Sequence, residues 1–114
     1  MAKQETTGYL TLVLKREWFD MIDQCIKKEE YREIKPFWDR VFGNSKAING
    51  ILSIKIKGRF YRPENVIIEF VHGYGHDRDK FMCHCLGLEI GYGKQEWGAD
   101  PDKQYYVLKL GEPF

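Results

Sequence analysis

No stretch of this sequence stays apolar for long. The longest runs, Val66 to Ile68 among them, cover a few residues, against the roughly 20 that a bilayer-crossing helix needs, so no membrane partner is expected. The opening residues, Met1 to Thr7, are polar and offer no apolar core for a secretory signal, which points to a cytoplasmic protein. Cysteine is scarce and odd in number. Three of them without an export signal argue against a disulfide framework and for reduced, mostly buried thiols. Charge of one sign is lacking as well: 18 Lys and Arg against 17 Asp and Glu leave a net +1, which excludes the uniformly basic field of a histone-like or arm-like DNA binder. Aromatic residues are plentiful, with seven Phe, seven Tyr and three Trp in 114 residues. They exclude a disordered chain, and a chain of this size buries roughly two thirds of its unfolded surface without metal or disulfide staples. A single domain over 1–114 is expected.

The near-zero net charge hides an uneven distribution. From Gln24 to Arg62 there are ten Lys and Arg against four Asp and Glu, whereas the rest of the chain carries eight against thirteen. The middle third is therefore a candidate surface for an anionic ligand.

Gly8 to Leu14 is rich in β-formers and reads as a first strand. Phe19, Ile22 and Ile26 then recur at three- and four-residue steps, with Trp18, Met21 and Cys25 widening the stripe, so a core helix is predicted over Arg16 to Lys27, with Lys27 and Lys28 complementing its C-terminal dipole. Glu29 to Ile34 has no helical face and precedes Pro36, which favours a strand. Pro36 suits the first turn of a short helix, Pro36 to Phe42, and Gly43 with Asn44 offers a left-handed stop. Ile51 to Phe60 alternates as a half-buried strand, with Leu52, Ile54, Ile56 and Phe60 on one face and Lys55, Lys57 and Arg59 on the other. Further strands are predicted over Asn65 to His72, over Lys80 to Ile90 with a bend at Gly87, and over Gln104 to Leu110, separated by loops. Six strands with both helices in the first half imply an α+β domain built on a curled, mostly antiparallel sheet or small barrel.

The densest cluster of functional groups is Lys27, Lys28, Glu29, Glu30, Tyr31, Arg32, Glu33 and Lys35. Period two places Glu30 and Arg32 on one strand face and Tyr31 and Lys35 on the other. A Glu30 facing a cleft can pair with Lys27 and Arg32, holding two cations while only partly neutralising them, which suits a phosphate or a polar base edge. The alternative is a set of exposed pairs worth about 0–1 kcal/mol each.

The run Cys25-Ile-Lys-Lys-Glu-Glu-Tyr-Arg resembles the GxKxxExR signature of ASCH domains, small PUA-like β-barrels, with Lys27, Glu30 and Arg32 on its Lys, Glu and Arg positions. The opening strand, the Trp-Phe-Asp helix, the continuation Glu-Ile-Lys-Pro-Phe-Trp, the Gly-Tyr-Gly turn and Gly93-Lys-Gln-Glu-Trp-Gly-Ala are similar to a bacterial and phage subgroup, so the likeness covers most of the chain. Cys25 stands where the signature has glycine, which implies a different cap or a longer helix. The resemblance implies a cleft that binds single-stranded RNA or a nucleotide-like ligand through Lys27, Glu30 and Arg32, assisted by Lys35. Some members are hydrolases of modified nucleosides that use a Lys and a Thr of this segment; aligned on Lys27, their Thr falls on Glu30, so that nucleophile is missing here. A hydrolase reading then rests on Lys27 and Glu30 as catalytic groups that polarise a substrate and activate water. A protein-interaction module is the third reading.

Tyr31, Phe37, Trp38, Tyr74 and Trp97 sit in or beside polar segments, where rings either stack on unpaired bases or, as most rings in a small domain do, pack into the core. The stripe Lys55, Lys57 and Arg59 could track a phosphate backbone, or simply discourage edge-to-edge aggregation. No metal site is expected: His72, His76, Cys83, His84 and Cys85 crowd one stretch, but the cysteines lack the spacing of a zinc site. No Walker loop or dinucleotide fingerprint is present and no cofactor is implied. Ser45 and Ser53 lack the context of a serine nucleophile.

Overall fold

A computed structural model describes residues 6–43, 51–73 and 79–114. Asn44, Ser45, Tyr74 and His76, and the connection expected over 45–50, lie outside the described residues. Strand β1 (Gly8–Val13) leads into helix α1 (Arg16–Asp23), strand β2 (Glu29–Glu33) and helix α2 (Pro36–Phe42). Strands β3 (Ile54–Ile56) and β4 (Arg59–Tyr61) follow, then a 3-10 turn at Pro63–Asn65 and the strands β5 (Val66–His72) and β6 (Asp79–Tyr92). A second 3-10 turn at Gln95–Trp97 precedes β7 (Gln104–Leu110). The fold is α+β: a mixed five-stranded sheet in the order β1-β5-β6-β7-β2, and a separate β3-β4 pair. β1 runs parallel to β5, and the other three neighbouring pairs of the sheet are antiparallel. β1 and β2, close in sequence, thus form the two opposite edges of the sheet. Among the described residues no helix is long and apolar enough to cross a membrane.

The core follows from the strand alternation. Leu12, Ile68, Phe70, Cys83, Cys85, Tyr106 and Leu108 point from the sheet toward Phe19 and Ile22 of α1, Phe42 of α2 and Ile54 of β3, all buried. A smaller cluster on the other face of β2 and β7 gathers Tyr31, Tyr105, Val107 and Ala99. The long β6 changes register between Cys85 and Gly87, and such a bulge lets the strand pair with β5 along its first half and β7 along its second.

Three expected elements are corrected. The strand over Ile51 to Phe60 is a hairpin instead: Lys57 (φ 49°) and Gly58 (φ 79°) form a tight turn between β3 and β4, the left-handed pair that a two-residue hairpin loop requires. Phe60 therefore faces outward opposite Lys55, and Arg59 opposes Ile56, so Lys55, Lys57 and Arg59 form no single-faced stripe. The first helix ends at Asp23 rather than Lys27, and neither Lys27 nor Lys28 lies in its last turn. Cys25 enters the left-handed region at φ 61°, and the amides of Ile26 and Lys27 both donate to the Met21 carbonyl. The chain turns there, leaving Cys25 exposed where a buried thiol was expected, and Ile26 half exposed. Gly43 closes α2 at φ −91°, not in a left-handed stop. Glycine is required there by space, because a Cβ would lie 2.7 Å from Tyr106 Oη and 2.8 Å from the Asp39 carbonyl.

Candidate functional site

The left-handed turn at Cys25 sends Lys27 back under the end of α1 and starts β2 two residues later. Lys27 is 2% exposed, among the most deeply buried side chains of the described chain. Its ammonium has three donors and three acceptors: the Glu29 carbonyl at 2.6 Å, the Trp97 carbonyl at 3.0 Å and Glu30 Oε1 at 3.1 Å. The Tyr31 ring lies 4.7 Å and the Trp18 ring 5.6 Å from Nζ. Burial lowers the Lys27 pKa, and the Glu30 carboxylate opposes that shift.

Glu30 is 6% exposed and divides its carboxylate, giving Oε1 to Lys27 and Oε2 to Arg32 Nη2 at 2.7 Å. Pairing with both cations is the geometry that the one-face spacing of Glu30 and Arg32 predicts. Arg32 Nη2 also donates to the Val13 carbonyl at 3.3 Å, and the guanidinium lies 5.0 Å from the Trp38 ring centre. One side chain thus joins β2 to β1 across the two edges of the sheet.

Above this triad lies a cleft of about 470 Å³. Its lining includes Glu30, Tyr31, Arg32 and Lys35 from the β2 region, Trp38 from α2, Trp97 from the second 3-10 turn, Trp18 from α1, and Lys15, Lys103 and Asp100 from loops. Lys27 is absent from this lining and borders a second cavity of about 340 Å³, on the side of Cys25 and Leu110. Lys55, Lys57 and Arg59 are likewise absent from the cleft. Phe37 is half exposed and meets Trp38 edge to face, with centroids 4.7 Å apart, without lining the cleft.

The loop that carries Trp97 is held at several points. Tyr31 donates from its hydroxyl to Glu29 Oε1 at 2.8 Å and accepts from the Lys94 amide at 3.0 Å, while Lys109 pairs with the other oxygen of Glu29. Burial raises the Tyr31 pKa above its ordinary value. Burial also acts to raise that of Glu29, but the hydrogen bonds from Lys109 and Tyr31 outweigh it, and the net shift is downward. Gly93 packs so closely that a Cβ would lie 2.6 Å from Ala99 and 2.7 Å from the Tyr31 ring. At the far end Gly98 takes φ 99° beside Trp18. Glu33 pairs with Lys103 at 3.0 Å and Lys35 at 3.7 Å on the rim.

Sequence reasoning missed Trp18, Lys15, Asp100 and Lys103 as cleft residues. Trp18 occupies a helical apolar stripe, which hid its position at the cleft. The other three sit in connections that only the folded topology brings to β2. Cys83 and Cys85 are buried on the core side of β6, and burial pushes their thiols up to about 12 and about 11. Among the described residues no three His, Cys, Asp or Glu side chains gather as a metal site would need. In comparisons with known proteins, no family model, no curated protein and no solved structure matches the chain significantly.

Proposed function

We propose that this chain is an ASCH-type domain whose cleft binds the base of a nucleotide or of single-stranded RNA. The observation that carries the reading is the triad of buried Lys27 and Glu30 with part-buried Arg32, opening, through Glu30 and Arg32, into a cleft of about 470 Å³ with three tryptophans in its wall. That volume falls in the range of small-ligand sites, and aromatic rings with an arginine plane are what unpaired bases stack on. The signature positions Lys27, Glu30 and Arg32 gather in space, and the Gly93–Ala99 segment, part of the same resemblance, is tied to them through the Trp97 carbonyl. The finer fold belongs to the proposal too: Arg32 of β2 reaching Val13 of β1 supports a sheet curled toward a PUA-like barrel, closed at that seam by a side chain.

Within this reading Lys27 is a positioning residue. Its three donors are all engaged by protein acceptors, so it holds Glu30 and the Trp97 loop rather than attacking a substrate, and binding is favoured over hydrolysis. The exposed Lys55, Lys57 and Arg59, by contrast, make no ion pair among the described residues and are open to a ligand, which this reading places in the cytoplasm.

The test is a titration of mononucleotides, followed by tryptophan fluorescence, with wild type and Trp97→Ala. Saturable binding that the substitution weakens by about 1–3 kcal/mol, the worth of a stacked base, supports the proposal. Absence of saturable binding by any of the four common mononucleotides refutes it. Release of a cleaved product during the titration would move the reading to the hydrolase.

A further inference from the structure

The cations near the cleft and those of the β3-β4 hairpin differ in one respect. Around the cleft, Arg32 is paired with Glu30, and Lys35 and Lys103 with Glu33. In the hairpin, residues 51–63 contain Lys55, Lys57, Arg59 and Arg62 and no acidic residue at all. All four are exposed, and none has a carboxylate within ion-pair distance among the described residues. Among the described residues the other unpaired lysines, Lys15, Lys28, Lys80 and Lys94, come one each from four separate segments. Among the described residues, the hairpin is thus where lysines and arginines without an ion pair cluster.

Its construction makes that charge available. Ile54 is buried and Ile56 and Tyr61 are partly buried on the inner face, with Ile56 and Tyr61 packed over Gly8 of β1. The Lys57-Gly58 turn is exposed, and the outer face carries Lys55 and a 46% exposed Phe60, with the ammonium 5.7 Å from the ring centre. An exposed ring among unpaired cations offers a stacking surface beside phosphate contacts. β3 packs against α2, the helix that supplies Trp38 to the cleft and displays the exposed Phe37. The hairpin and the cleft therefore flank one helix.

We infer that the β3-β4 hairpin is a second, separate contact surface for the phosphodiester backbone of an RNA strand whose base occupies the cleft. The choice of RNA over another polyanion rests on the proposed reading of the cleft; the charge of the hairpin stands independently of it. The division is physical: the paired cations Arg32, Lys35 and Lys103 at the cleft, where Lys15 alone of the lining cations has no carboxylate partner among the described residues, orient a base, and the cluster of unpaired cations on the hairpin neutralises phosphates and releases counterions. The natural ligand is then a strand, not a free nucleotide.

The experiment compares wild type with the triple variant Lys55→Gln, Lys57→Asn, Arg59→Gln, asparagine being chosen for the left-handed position. Labelled single-stranded RNA of mixed sequence and a mononucleotide are titrated at several salt concentrations. The expected result is an unchanged mononucleotide affinity and an RNA affinity lower by roughly 10- to 100-fold at 0.1 M salt, with the log–log salt slope reduced by about 2, at about 0.7 per lost phosphate contact. Unchanged RNA affinity and slope in a variant that still binds the mononucleotide overturns the inference and leaves the cleft reading standing. Hairpin-dependent RNA binding without mononucleotide binding does the reverse. Equal wild-type affinity for polyglutamate of matched charge overturns the assignment to nucleic acid.

Discussion

Replacing Lys27 by methionine removes a charge that the fold has enclosed and leaves its partners in place. Three hydrogen bonds disappear together, to the Glu29 carbonyl, the Trp97 carbonyl and Glu30 Oε1. Glu30, 6% exposed, keeps only Arg32. Breaking one side of a buried ion pair costs about 3–5 kcal/mol, chiefly because the remaining charge stays out of water. An orphaned buried carbonyl adds about 1–3 kcal/mol where water cannot reach it. Against a total stability of roughly 5–15 kcal/mol, the variant should sit close to its unfolding threshold. Urea unfolding at pH 7, followed by tryptophan fluorescence and far-ultraviolet circular dichroism, measures the loss. The double variant Lys27→Met, Glu30→Gln separates the charge from the packing: an amide oxygen still accepts from Arg32, and the stranded carboxylate is gone. The double should lose less than the sum of the singles by about 1–3 kcal/mol, the coupling of groups in direct contact. A Lys27→Met loss below about 1 kcal/mol, as for a surface lysine, or strict additivity, would refute the buried pair and with it the positioning role.

Cys25→Gly should leave the fold as stable or raise its stability by up to about 1.5 kcal/mol, because a non-glycine residue in the left-handed region costs about 1–2 kcal/mol and glycine gives back about 0.5–1 of that as unfolded-state entropy; a lower urea midpoint contradicts the strained turn at φ 61°. Thiol titration with a disulfide reagent should find one reactive cysteine in the native protein and three in denaturant, since Cys25 is exposed while Cys83 and Cys85 are buried; fast reaction of all three without denaturant would count against the core placement. Tyr106, raised to about 12 by burial and its hydrogen bond to Asp39, contributes stability that is fully present below the ordinary tyrosine pKa of ~10 and is lost as pH rises through about 12. Urea midpoints between pH 9 and 12 should therefore fall less steeply for Tyr106→Phe than for wild type, and an identical decline in both would remove Tyr106 from the account.

Much of the secondary structure is legible because its signals are local. α2 begins at Pro36 and ends at Phe42 as its terminal residues predict, and β7 keeps the predicted bounds Gln104 and Leu110. The hairpin was not legible as such, because Ile54, Ile56 and Phe60 fall at even positions and mimic one continuous alternation; Gly58 beside Lys57 was the available signal for a two-residue turn. The early end of α1 was hidden by Cys25, whose residue type gives no sign of a positive φ. Within the site, the spacing of Glu30 and Arg32 placed both on one face, because β2 is regular. It could not say that Lys27 lies beneath the cleft instead of in its wall, since that depends on a turn the sequence disguises. Trp18, Asp100 and Lys103 are contributed from far apart in sequence, and only the topology brings them to β2.

The order β1-β5-β6-β7-β2 explains why the cleft stands where it does. An open sheet leaves two edges with unpaired backbone groups, which must be covered or kept from pairing with another chain. Here the edge strands β1 and β2 are joined through α1. Arg32 spans the gap to the Val13 carbonyl, and its charge is held by Glu30, which is held in turn by Lys27. Arg32, held by Glu30, therefore bridges the edges, and both line the cleft, with Lys27 holding Glu30 from beneath. A side chain rather than a ladder of backbone hydrogen bonds links the two edges, and the cleft beside that link, walled by tryptophans from α1, α2 and the 3-10 turn, is what the proposed base occupies.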